Sequence, residues 1–136
     1  MSENELLASF LRRVGIGDSR GTGFDKMEAA LEEQGMLSLN VRQTPNHVST
    51  MLYAYKPFGK WTLEEKLNAI YMHACLRYYS MGKSLTNESL RERFQLSDKD
   101  KYTISRLIKV AVERGRIKML DPNASDKNRS YIPYWA

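Results

Sequence analysis

LTNESLRERFQLSDKDKYTISRLIKVAVERGRIKMLDPNASDKNRSYIPYW, residues Leu85–Trp135, is the stretch whose reading decides the fold. Thr86 or Asn87 can cap a short helix, because a short side-chain oxygen there satisfies an orphan backbone donor. Leu90 and Phe94 give that helix a narrow apolar face, and Gln95-Leu96-Ser97 makes a turn. A longer helix follows, with Ile104, Leu107, Ile108, Ala111 and Val112 recurring at the helical period. Gly115 ends it, as a residue that adopts positive φ at a helix C-terminus without steric cost. Arg116–Leu120 and Tyr131–Trp135 read as two strands of a hairpin. The DPNASDKNRS between them is too long and polar for a tight turn, which suits a wing. Short helix, turn, basic helix, strand, wing and strand make a winged helix-turn-helix.

The outward face of the longer helix carries the chemistry. Lys99, Tyr102, Ser105, Arg106, Lys109 and Glu113 lie opposite the apolar stripe at spacings of three and four. Seated in a major groove, such a helix presents polar groups to base edges and cations to phosphates. Lys101, Arg91 and Arg93 are candidates for backbone phosphates. Lys127 and Arg129 stand where a wing would touch an adjacent groove. The competing reading is the solvated face of a small domain, or a winged helix used for protein contacts.

Charge placement sharpens this expectation. The net charge is +5, but residues 1–58 hold 6 Lys/Arg against 7 Asp/Glu, whereas residues 59–136 hold 15 against 9. The cationic excess thus falls in the half that carries the basic helix, where each neutralised phosphate would release condensed counterions. No apolar run approaches the ~20 residues of a membrane span, so no membrane partner is expected. The single cysteine, Cys75, lies among Tyr71, Ala74 and Tyr78 on one helical face and reads as a buried, inert thiol. With no internal disulfide available, the cytoplasm is the simplest compartment.

The first half reads as a different unit. Asn4 can cap a helix whose core face is Leu6, Leu7, Phe10, Leu11 and Val14. A second helix follows Arg20-Gly21-Thr22-Gly23, turns Phe24, Met27, Ala30 and Leu31 inward, and stops at Gly35. Leu37–Gln43 and Val48–Tyr55 then form a hairpin, with Leu37, Leu39 and Val41 alternating onto one face. A lone two-stranded hairpin is marginal in water, so this unit is expected to need further partners. Lys56–Lys60 reads as a linker. Thr62 with Glu65 makes a capping box for a long helix buried along Leu63, Leu67, Ile70, Tyr71, Ala74 and Tyr78. His73, beside that stripe, reads as a structural residue.

Arg20-Gly21-Thr22-Gly23 before a helix invites a phosphate-binding reading, since helix N-termini hold anions. A lone Gly-x-Gly is weak evidence, and the alternative is a tight loop between packed helices. There is no GxxxxGK[ST] and no strand leading into the glycines. Paired carboxylates, metal-ligand spacing and nucleophile motifs are also lacking, so no cofactor and no catalysis are expected of this chain alone.

Two stretches resemble a known family. NELLASFLRRVGIGDSRGTGFDKM (Asn4–Met27) resembles the C-terminal segment of bacterial transcriptional regulators with an AlbA/Schlafen-type domain, often labelled RecG-like ATP-dependent DNA helicases. LTNESLRERF through DPNASDKNRSYIPYWA resembles the winged-helix tail found in a subset of them. The first segment is also similar to a shrunken GHKL ATPase fold. That likeness implies a nucleotide site at Asn4, Arg20, Gly21, Thr22 and Gly23. The chain departs from the pattern, because no Asp-x-Gly-x-Gly supplies the adenine-reading carboxylate and Glu3 stands where arginine is usual. The resemblance further implies upstream domains in a larger parent protein.

The expectation is an α+β chain: a two-helix plus β-hairpin unit over residues 1–58, then a winged helix-turn-helix over 59–136. Its partner is duplex DNA. The alternative is a protein-interaction or homodimerisation module that docks through the aromatic tail, Tyr131, Tyr134 and Trp135.

Overall fold

The computed structural model describes residues 23–136. The first helix expected from Asn4, and Arg20, Gly21 and Thr22 of the glycine motif, lie outside the described residues. The architecture is α+β, with four α-helices and two antiparallel hairpins among the described residues.

Helix α1 spans Gly23–Glu33, with Asp25 in its first turn, where a carboxylate complements the helix dipole. It ends in a Schellman arrangement. Gly35 has φ +66° and Met36 N–H donates to Leu31 O at 2.9 Å. Leu37, Leu39 and Val41 are all buried, as their alternation predicts, although strand pairing begins only at Asn40. Strands β1 (Asn40–Gln43) and β2 (Val48–Met51) pair with Val41 opposite Thr50. The following segment, Leu52–Tyr55, leaves the strand and carries exposed Leu52 and Tyr55.

The expected linker is packed rather than open. Phe58–Lys60 forms a 3-10 turn in which the Phe58 ring stacks on Phe94 at 4.6 Å and meets Trp61 edge-on at 5.2 Å. Trp61 Nε1 donates to Lys56 O at 2.7 Å. Helix α2 (Leu63–Leu76) then starts with the expected capping box: Glu65 N–H donates to Thr62 Oγ1, and Thr62 N–H to Glu65 Oε1.

Helix α2 is buried on nearly every side from Leu67 to Leu76, the pattern of a central helix. Leu67, Ile70 and Ala74 face one apolar cluster; Tyr71, Met72 and Cys75 face another with Leu39 and Val41. Two residues of the expected stripe are not buried. Leu63 is 41% exposed and Tyr78 37% exposed, because they sit in the first turn and beyond the last one, where neighbouring elements no longer flank the helix. A π-turn, Arg77–Met81, closes α2, and Gly82 at φ +61° reverses the chain.

Helix α3 spans Asn87–Arg93 and is capped by Thr86, not Asn87, in a box completed by Ser89. Its end repeats the Schellman pattern, with Leu96 N–H bonded to Arg91 O, but here Gln95 takes the left-handed position at φ +57°. A 3-10 turn at Asp98–Asp100 leads into α4 (Lys101–Glu113), whose Ile104, Ile108 and Ala111 are buried against α2 and α3. Gly115 at φ +70° stops α4 as expected. Strands β3 (Ile117–Met119) and β4 (Tyr131–Pro133) pair antiparallel, with Lys118 opposite Ile132. Leu85 adds a third rung: its N–H and C=O both bond to Tyr131, at 2.7 and 2.8 Å. These elements follow the order read from Leu85–Trp135: two helices around a turn, then a hairpin with a long polar connection.

Candidate nucleic-acid interface

Helix α4 packs its apolar stripe inward, which forces its other side to solvent. Lys99, Lys101, Tyr102, Ser105, Arg106 and Lys109 are exposed, Tyr102 at 79%. The hairpin then folds back so that the 3-10 turn of its long connection, Asp126–Asn128, stands opposite this face. Between them runs an open groove of about 930 Å³ whose lining includes Tyr102, Arg106 and Lys109 of the helix and Lys127 and Arg129 of the hairpin connection. Residues separated by some twenty positions in the chain thus meet along one surface.

The groove is not uniformly basic. Asp126 lines it and pairs with Arg129, Nη2 to Oδ1 at 2.8 Å, and Glu113 borders it further along. Lys99, Lys101, Arg106, Lys109 and Lys127 make no ion pair with another described residue. Arg114 and Arg116, on the far end of the helix, are both taken by Glu64 at 2.7 and 3.0 Å. Lys101, Arg106, Lys109 and Lys127 therefore line the groove without an ion pair to another described residue.

Asn87 is a groove residue that the sequence reading assigned only to capping. Its Nδ2 donates to Ser105 Oγ and to Lys101 O, both at 3.0 Å, while its Oδ1 accepts from Arg91 Nε at 2.8 Å. Arg91 in turn pairs with Asp98. This chain of contacts fixes the angle between α3 and α4 from the solvent side. It also engages Ser105 and Arg91, whereas the polar ends of Lys101, Tyr102, Arg106 and Lys109 make no such contact. A first-turn residue that cross-links two helices has no sequence signature of its own.

Arg93, expected at phosphate backbone, points the other way. The residue is 3% exposed. Its Nη2 donates to Met36 O at 2.6 Å and to Ser38 Oγ at 3.2 Å, and its Nε lies 3.7 Å from Glu32 Oε2. The guanidinium also sits 5.8 Å from the ring centres of both Trp61 and Phe94. Helix α3 has one face covered by α1 and the strand approach, and Arg93 lies on that face, so no nucleic acid can reach it.

A buried polar cluster surrounds Arg93. Glu28 accepts from Ser38 Oγ and from Leu39 N–H at 3.1 Å, and burial pushes its carboxyl up to about 7 against the lowering effect of Ser38 and Arg93. His73 bridges α1 and α3, with Nδ1 2.8 Å from Glu32 Oε1 and Nε2 3.0 Å from Ser89 Oγ. Its structural reading is thereby specified as a link among three helices. Cys75 is buried as expected, and burial raises its thiol above the ordinary range. No group of side chains that could hold a metal ion occurs among the described residues.

Residues 1–52 match the family model described as "Putative ATP-dependent DNA helicase recG C-terminal". The match agrees with the RecG-like resemblance carried by Asn4–Met27. Of it, α1 and the β1–β2 hairpin are described, together with Gly23 of the glycine motif, which opens α1. The groove lies wholly outside the match, whereas Glu32, Met36 and Ser38, the partners of Arg93, lie inside it. Comparisons with curated proteins and with solved structures gave no match. Among the described residues no helix is long and apolar enough to cross a membrane.

Proposed function

We propose that this chain binds duplex DNA through a winged-helix region, as part of a RecG-like, helicase-related or transcription-regulating protein. In this reading residues 1–58 form the RecG-like unit and 59–136 the DNA-binding unit, with the β3–β4 hairpin as the wing. Helix α4 enters the major groove, with Tyr102 and Arg106 toward base edges and Lys99, Lys101 and Lys109 toward phosphates. Lys127 and Arg129 meet the neighbouring backbone. Ser105 acts through Asn87, as part of the scaffold. The observation that carries the reading is the groove itself, which gathers uncommitted cations from helix and wing along one strip.

The test is a mobility-shift titration with random duplexes across salt concentration. Arg106→Ala combined with Lys109→Ala should weaken binding and reduce the slope of log K against log salt by roughly 2, one for each phosphate no longer neutralised. An unchanged affinity at low salt would rule out α4 as the binding helix.

The alternative, homodimerisation through the aromatic tail, finds less support. Trp135 Nε1 donates to Tyr71 OH at 2.8 Å, its ring stacks on Tyr79, and Tyr134 stacks on Tyr71. Those rings already close the second apolar cluster. Any ATP-linked role of the glycine motif belongs to the same reading as a property of the RecG-like unit. Thermal melting with and without ATP tests it.

A further inference from the structure

We infer that Arg93 is a positioning residue: it fastens the helix-turn-helix to the RecG-like segment, so the pose of α4 is set from inside the molecule by α1. Helix α3 is tied to α1 at two points one helical turn apart. At Ser89 the tie runs through His73 to Glu32. At Arg93 it runs directly to Glu32, and beyond it to Met36 O and Ser38. Both ties converge on one carboxylate, Glu32. Positions 89 and 93 share a face of a helix, so together they fix its rotation as well as its distance.

A third contact secures the turn. Gly35 and Gln95 both adopt the left-handed conformation, and they pack against each other. A Cβ on Gly35 would lie 2.8 Å from the Gln95 side chain, so the C-terminus of α1 presses directly on the turn between α3 and α4. The tie is also adjustable. Arg93 Nε and Nη1 and Glu32 Oε2 have no hydrogen bond, so charge across 3.7 Å carries part of it. A displacement of α1 would therefore reach the turn, and through Asn87 and Lys101 the first residues of α4.

This inference rests on α4 being the DNA-binding helix, and its test separates the two. Arg93→Lys and Glu32→Gln would be prepared in the full chain, and affinity for a short random duplex measured per folded molecule across salt. Hydrogen exchange would be followed at the amides of residues 94–97. Both variants should weaken binding, roughly two- to thirtyfold, with the salt slope unchanged. Exchange should quicken at 94–97 more than in the centre of α2. A slope reduced by about one in a charge-removing Arg93→Gln, prepared for this comparison, would mean that Arg93 touches phosphate and would overturn the inference. So would a lower melting temperature with unaltered affinity and uniformly faster exchange, which marks a merely structural residue. Glu32→Gln covers the case in which Arg93→Lys does not fold. If the unmutated chain binds no duplex, the DNA-binding proposal fails. The exchange pattern alone then decides whether Arg93 holds the turn.

Discussion

The buried joint between α1 and α3 and the open groove between α4 and the hairpin are built from the same residue types, and burial gives them opposite roles. In the groove Arg106 and Lys109 are hydrated and uncommitted. In the joint Arg93 has lost its water and depends on Glu32, Met36 O and Ser38. A hydrated cation contributes little to folding and is available to a polyanion. A desolvated one is costly to bury and strongly held once partnered, so its removal leaves uncompensated charge behind. The joint thus bears on the fold and the groove on association.

The largest expected effect follows directly. Arg93→Ala strands Glu32 and Glu28 in the interior and should lower unfolding free energy by about 3–5 kcal/mol. Arg106→Ala should change it by no more than about 0.5 kcal/mol. Urea unfolding followed by circular dichroism compares them directly. Equal losses would break the contrast, because they would mean that α4's outer face also supports the fold.

A second, smaller effect concerns pH. Glu28 has a folded-state value near 7, above the 4.5 of a free carboxyl, because burial disfavours its charged form. The folded state then binds more protons than the unfolded state between those values. Its contribution to stability is full below about pH 4.5, falls as pH rises to about 7, and stays low above that. The loss is on the order of 3 kcal/mol at most. The groups facing Glu28 and its neighbours are Ser38 and the Leu39 amide from the strand approach, Glu32 on α1, Arg93 on α3, and His73 and Cys75 on α2. Glu28→Gln should flatten this dependence between pH 4.5 and 7, read as the difference in melting temperature from the unmutated chain. Glu65 does not confuse the result. Lys56 and the Thr62 amide hold its carboxyl low, so its stabilising effect disappears only as pH falls below the ordinary carboxyl range.

Much of this was legible in the sequence, and the failures have a common cause. The Thr62–Glu65 box, the Leu67–Ile70–Tyr71–Ala74 stripe and the Ile104–Ile108–Ala111 stripe are local periodic signals, and each is realised. Arg106 and Lys109 were readable for the same reason: they lie opposite a stripe. Arg93 was not, because its burial depends on Met36 and Ser38, which precede it by 57 and 55 residues. Periodicity says that a helix has an inner face but not how many neighbours it has. Helix α3 has a second covered face, and α2 is covered all round. Leu63 and Tyr78 failed in the opposite direction, since the stripe continues beyond the elements that cover it. Leu85's pairing with Tyr131 is a single bridge, too short to leave a pattern.

The smallest effect gives the sharpest contrast, because neutralising an acid should act in opposite directions in the two regions. In the joint, Glu32→Gln removes the carboxylate that orients α3 and should weaken duplex binding. In the groove, Asp126→Asn removes a carboxylate that lines the proposed DNA-facing strip and occupies Arg129. An exposed pair of this kind contributes only roughly 0–1 kcal/mol, so breaking it leaves the fold intact. It frees Arg129 for phosphate and removes a like-charge repulsion. Affinity at low salt should therefore rise by about two- to fivefold, the range that such an energy allows. The salt slope should steepen by up to about one, the increment for a single added phosphate. Titration of Asp126→Asn beside Glu32→Gln decides the matter. If both substitutions move affinity the same way, the division between a joint that positions and a groove that binds is wrong.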